Sequence, residues 1–386
     1  MALSLMLNSS TQNFPQSKKN IESLIGKSIK VNNTKNGGLV KFSIANTGIR
    51  NAINSLKTVV EYNKQIQLDN NKVLKIERHI SSGTYGSVYS GKLNINKTQH
   101  NIIVKKQELK KNDSDKSIIL EVLINILLKT DKIIYKFVPK YYGSYKIENS
   151  ICIINDYISD LTFDNLIKIL SKNKTNSIIA NNVICSIFLQ ILLTLNVMQK
   201  RYNFTHGDLK TNNIMILLTQ QPLITINKRK FNPHGYTFKY IDFGFSCMTS
   251  YTQTKFHVPH YYSDNICGNK YLDVLFLSVY LCIDLQNYKL THLKIYSFLV
   301  NRINKLLKEV NIKRGRYISV KNDLENGKIF NNFMMFTNNA KKSKGHLAYE
   351  LLKSISNMKN KNFDLFSPEN IYVDFTSNMG IDIKKV

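Results

Sequence analysis

Apolar and polar positions change their rhythm along the chain. Residues 1–71 are rich in Ser, Asn, Thr and Lys, with one helix-like pattern in Ile44–Tyr62, and read as an extension ahead of the main domain. From Lys72 the spacing becomes strand-like. Leu74, Ile76 and Ile80 predict a first strand, Val88–Leu93 a second and Asn101–Lys106 a third, the first two joined by a Gly-containing turn. A helix is expected over Ser117–Lys129, then strands near Tyr141–Lys146 and Ile151–Asp156. One antiparallel sheet with one helix is the economical arrangement for residues 72–158. After Asp160 the pattern is mainly helical, and 159–386 reads as a larger helical lobe with helices at Thr291–Asn311 and His346–Asn357. The fold class expected is therefore α+β and two-lobed. The most apolar run, Ile178–Met198, approaches membrane-span length but carries Asn181, Asn182, Gln190 and Asn196, so it predicts a buried helix and no membrane span. Met1–Ser10 has no basic leader or sustained apolar region, so no secretory signal is expected.

Composition narrows this picture. With 43% hydrophobic residues, 386 residues can bury a sizeable core without staples. Five scattered cysteines without a C-x-x-C pair suggest reduced thiols and an intracellular, cytoplasmic setting. Lys and Arg outnumber Asp and Glu by 54 to 26, a net +28 that would suit nucleic acid or an anionic membrane. No motif supports a nucleic-acid partner, however. The joint abundance of Lys, Asn and Ile is what A/T-rich codons produce, and clusters such as Lys305–Arg316 and Lys341–Lys344 read as solvated faces.

Candidate chemistry begins at the first hairpin, Ser81-Ser-Gly83-Thr-Tyr85-Gly86-Ser-Val88. Its glycines would let backbone N–H groups approach a triphosphate without Cβ interference, though an ordinary turn has the same composition. The third strand ends Ile102-Ile103-Val104-Lys105-Lys106. Strand alternation favours Lys105 over Lys106 as the phosphate-facing lysine, because Ile102 and Val104 then share the opposite, core-facing side. Glu121 is the only acid in the apolar run Ile118–Leu128; it can reach back to Lys105 or lie solvated on an amphipathic helix.

The strongest signal is His206-Gly207-Asp208-Leu209-Lys210-Thr-Asn-Asn213, followed later by Asp242-Phe-Gly244. Over roughly residues 72–285 the chain resembles the eukaryotic-type protein kinase superfamily, whose catalytic loop reads H-R-D-L-x-x-x-N and whose metal loop reads D-F-G. The resemblance implies ATP and Mg²⁺ as cofactors and a protein hydroxyl as acceptor. It makes Asp208 the base that takes the hydroxyl proton, Lys210 a cation near the transferred group, and Asn213 and Asp242 the magnesium holders. It also assigns nucleotide contacts to Ser81, Gly83, Tyr85, Gly86, Val88, Ile103, Lys105 and Glu121, places Asn155 at the back of the ATP site, and sets the backbone of Asp156 and Ile158 against adenine. Asp273, in the apolar stretch from Leu272, would anchor the catalytic-loop backbone; a carboxylate favoured by the helix dipole is the alternative. Lysine two places after the catalytic aspartate is the Ser/Thr-kinase pattern.

The departures are specific. Ser81 replaces the first glycine of the loop, and Ile103 the usual alanine. Gly207 replaces the arginine that reads a phosphorylated activation loop, so strict activation by loop phosphorylation is not expected. The stretch from Asp208 to Asp242 is longer than usual, and Gln220–Tyr236, with Pro222, Pro233 and Gly235, predicts an extended surface hairpin. No A-P-E follows Gly244, and no family landmark lies beyond residue 285. His-Gly-Asp is also the signature of aminoglycoside and choline kinase-like enzymes, which leaves a small-molecule kinase as one alternative and a pseudokinase scaffold as another. In composition the chain is similar to kinases of large DNA viruses, for which host cytoplasm or virion would be the setting.

Overall fold

A computed structural model describes most of residues 65–309, apart from short gaps and 257–271, together with a few two- to four-residue strand segments outside that range. The expected helix at His346–Asn357, the turn residues Thr84 and Tyr85, and Cys267 lie outside the described residues. The chain divides into two compact units, Met1–Ile158 with Asp242–His260, and Ser159–Ile241 with Tyr261–Val386.

The first unit is built on a sheet whose main strands are β1 (Gln65–Asp69), β2 (Lys72–Gly83), β3 (Gly86–Ile95), β4 (Thr98–Glu108), β5 (Tyr141–Ile147) and β6 (Ser150–Asp156). Their order is β5-β6-β4-β3-β2-β1, with antiparallel neighbours throughout. Two-residue strands, Thr58–Val59 and Glu61–Tyr62, extend its two edges. Cross-strand partners share a face, so the register sorts the side chains into two sets. One face carries Leu74, Leu93, Ile102, Val104, Cys152 and Ile154, which pack into a core cluster with Ile66, Leu68 and Tyr145. The other carries Val88, Ser90, Ile103, Lys105, Ile153 and Asn155. Helix α1 (Ser114–Leu128) reaches that second face through Glu121.

The sheet therefore begins upstream of the boundary expected at residue 71. Ile66 and Leu68 are both about 1% exposed, because the core face of β2 and β3 needs an apolar cover that the strand before it supplies. The ends of the Ile44–Tyr62 segment are strand, not helix: Ile44 closes a strand begun at Lys41, and 58–59 and 61–62 pair into the sheet. Periodicity alone does not distinguish short strands from a helical turn.

The second unit is mainly helical. Helix α2 (Phe163–Lys172) precedes α3 (Ser177–Tyr202), which is buried from Val183 to Met198. By length and composition α3 could cross a membrane, but most of its apolar stretch is buried inside this unit. Asn176 caps its start by accepting from the Ile178 N–H, and Asn203 ends it in the left-handed conformation. Next come β7 (Ile214–Leu218), β8 (Ile224–Ile226), β9 (Arg229–Phe231) and β10 (Tyr236–Tyr240). Strands β7 and β10 pair, and β8 and β9 form the expected hairpin between them. Helices α4 (Leu272–Asn287) and α5 (Lys294–Glu309) complete the described part. Cys152, Cys185 and Cys282 are buried free thiols, whereas Cys247 is disulfide-bonded, so the expectation that all five cysteines are reduced does not hold.

Leu68→Ala tests the upstream boundary: emptying a fully buried site should lower unfolding free energy by about 3 kcal/mol in a denaturant titration. A loss within about 0.5 kcal/mol, the range of ordinary surface changes, would return β1 to a dispensable extension.

Candidate active site

The first unit presents one half of the chemistry. Strands β2 and β3 close at the pair Gly83↔Gly86. The two glycines differ in cause. Gly86 has φ 123°, and a Cβ there would sit 2.3 Å from the Lys106 carbonyl oxygen, so the sheet itself demands glycine. Gly83 meets nothing within 4 Å, so the chain's own packing does not explain its glycine, which leaves room for a ligand to approach.

Lys105, next to Val88 and Ile153 in the ladder, places its Nζ 2.8 Å from Glu121 Oε2 and 2.7 Å from Asp242 Oδ1. This decides between the adjacent lysines, since Ile102 and Val104 are fully buried on the other face. Burial works to lower the Lys105 pKa, but the Glu121 and Asp242 carboxylates outweigh it and the net shift is upward, so the ammonium is held charged. Glu121 is buried, not solvated; Asn125 Nδ2 donates to its backbone carbonyl one turn on. Burial pushes the Glu121 carboxyl up and the Asp242 charge adds to that, while the Lys105 ammonium opposes both. Asp242 takes φ 62°, a left-handed conformation that short polar residues tolerate. Phe243 beside it is buried.

At the end of β6, the Asp156 N–H donates to the Lys140 carbonyl and the Tyr157 N–H to that of Asn101. Both N–H groups are therefore spent within the unit. Ser81 and Gly83 are exposed, Val88, Ile103, Asp156 and Ile158 half-buried, and Tyr85 lies outside the described residues.

The second unit presents the other half. After α3 the chain runs through buried Phe204, Thr205 and His206 into a loop ending in the short 3₁₀ turn Thr211–Asn213. Asp208 Oδ2 accepts from Lys210 Nζ and Asn213 Nδ2, each at 2.9 Å, and Asn213 Nδ2 also donates to the Asp208 carbonyl at 2.8 Å. Asn213 thus uses its donors on Asp208 and keeps Oδ1, an oxygen acceptor of the kind a hard cation takes. The Asn213 carbonyl accepts from the Ile241 N–H at 3.0 Å, so the β7–β10 pair fixes the residue just before Asp242.

Asp273 is fully buried and anchors this loop, accepting from the His206 N–H at 2.7 Å and the Gly207 N–H at 2.9 Å. Burial pushes its carboxyl up to about 7; those two N–H groups pull against that, and Asp208 adds to the push. Gly207 has φ 80°, a conformation glycine adopts without strain. One anchor was not read from the sequence: the Thr211 hydroxyl donates to Asp284 on α4. Burial pushes Asp284 up to about 6, with Thr211 opposing and Asp164 adding. At about 3.6 residues per turn, Asp284 lies three turns beyond Asp273 on one helix face, a spacing that could have disclosed it.

Among the described residues no cluster of three or more His, Cys, Asp or Glu could hold a metal unaided. An Asn–Asp oxygen pair suits Mg²⁺, which keeps waters and phosphate oxygens as its other ligands.

These arrangements define a phosphotransferase of the kinase type. A protein kinase domain model matches residues 74–273, just over half of the chain, and the chain belongs to the eukaryotic-type protein kinase superfamily. Comparison with curated protein sequences gives no match. Among solved structures it is similar to the BubR1 kinase domain, at 18% identity and a TM-score of 0.35, the match covering 50% of each chain.

Replacing Asp273 with Ala strands two buried N–H donors, which should cost about 3 kcal/mol in a denaturant titration. Asp273→Asn keeps one acceptor and should fall between Ala and the native chain. Equal stability of all three would show that the carboxylate does not anchor the loop.

Proposed function

We propose that this chain is a serine/threonine protein kinase that transfers the γ-phosphate of ATP, with Mg²⁺, to a protein hydroxyl. The observation that carries the proposal is the Lys105 ammonium held charged by Glu121 and Asp242, on the sheet face that also presents Val88 and Ile103. Bound Mg-ATP would supply the phosphoryl group and the divalent charge that offsets its negative charge.

In this reading Lys105 positions α- and β-phosphate oxygens, and Gly83 and Gly86, with Ser81, Tyr85 and Val88 around them, line the approach of the triphosphate. Asn213, through Oδ1, and Asp242, through its carboxylate, hold the cation. Asp208 takes the proton as the acceptor oxygen forms its bond to phosphorus and the bond to the ADP oxygen breaks. Its carboxylate is kept in one orientation by Lys210 and Asn213. Lys210 also lends positive charge near the transferred group, which supports the Ser/Thr assignment. Ile103, Asp156 and Ile158 face the base.

Asp208→Asn should reduce transfer of labelled phosphate from ATP to a generic basic protein by at least about a hundredfold, the scale of a lost general base, while ATP affinity changes little. Unchanged turnover would remove Asp208 from this role. Lys105→Ala should lose most transfer and Lys106→Ala little; the reverse would shift the assignment to the neighbouring lysine. Label appearing on choline or an aminoglycoside instead of protein Ser or Thr would overturn the choice of acceptor.

A further inference from the structure

Asn155, the next-to-last residue of β6, carries an unanswered polar atom: its Oδ1 is buried and has no hydrogen-bond partner. A buried acceptor without a donor is costly, and such an atom calls for an explanation. The neighbouring donors are committed elsewhere. Asn155 is paired across the sheet with Ile103 on β4, which offers no side-chain donor, and with Tyr141 on β5, whose hydroxyl pairs with Ser144 Oγ at 2.7 Å. The backbone N–H groups of Asp156 and Tyr157 are engaged by the Lys140 and Asn101 carbonyls. Lys105 lies on the same face two residues along β4, but its ammonium is held by Glu121 and Asp242.

We propose that Asn155 is a specificity-determining residue that reads the nucleotide base, its Oδ1 accepting a hydrogen bond from the exocyclic amine of a 6-aminopurine. The inference rests on the nucleotide-binding reading above and deepens it. The sheet face suits such a ligand: Val88 and Ile103 offer aliphatic surface to a flat ring, Lys105 marks the phosphate end, and Asn155 lies beside Ile103 in the ladder. A 6-oxopurine would set an acceptor against an acceptor, so the carboxamide selects against it as well as for the amine.

The test is equilibrium binding of three nucleotides to the full chain in magnesium buffer: ATP, inosine triphosphate, and purine riboside triphosphate, which lacks the 6-substituent. In Asn155→Leu, similar in volume and without an acceptor, the preference for ATP over purine riboside triphosphate should shrink by about threefold to tenfold, the scale of one neutral hydrogen bond. Discrimination against inosine triphosphate should shrink with it. Thermal stability should hold or rise, because the orphaned oxygen is gone. Asn155→Met provides the same readout if leucine perturbs the strand. Unchanged nucleotide ratios in a folded variant, with ATP still bound, would overturn the role of Asn155 alone. Failure of the native chain to bind ATP would overturn the nucleotide reading with it.

Discussion

A buried ammonium is tolerated only where opposite charge meets it, and the first unit is organised around that constraint. Lys105 projects from the centre of the sheet and is met by Glu121 from α1 and by Asp242. The Glu121 arm is buried, and removing one partner of such a pair costs about 3–5 kcal/mol because the other charge is left stranded. The Asp242 carboxylate is 41% exposed, so its arm is weaker in stability and better placed to exchange partners. A lysine fixed in this way has lost its rotamer freedom before any phosphate arrives, which is the condition for positioning catalysis.

The second unit solves a different problem, that of holding a loop of polar groups against an apolar helical core. Asp273 and Asp284, on one face of α4, take backbone N–H groups at His206 and Gly207 and the hydroxyl of Thr211. Asn213 and Lys210 then fix the Asp208 carboxylate. Loop geometry here follows from buried acceptors on a rigid helix, and the left-handed backbone at position 207 makes glycine compatible with that geometry where a side chain would be strained.

Much of this was legible in the residues. The α+β order followed from the shift between two-residue and helical periods, and Lys105 could be preferred over Lys106 because only one choice leaves Ile102 and Val104 in the core. The Gln220–Tyr236 hairpin was announced by its prolines and glycine. Other features were hidden because they depend on tertiary contacts. Ile66 and Leu68 sit in a short segment whose pattern gives no sign of the sheet it joins. Asp242 announced itself by motif, yet its bond to Lys105 spans most of the domain sequence. Asn155 was placed by resemblance, but its lack of a partner is visible only when both neighbouring strands are in register.

The central claim is that the Lys105–Glu121 pair acts as one device for gripping a triphosphate. The most direct measurement is a double-mutant cycle on ATP affinity with Lys105→Met, Glu121→Gln and the double variant, using adenosine as the ligand without phosphates. The account predicts that the double variant binds ATP no more weakly than Lys105→Met alone, and that adenosine affinity is the same in all four proteins. Losses that add, or an equal loss of adenosine binding, would contradict it.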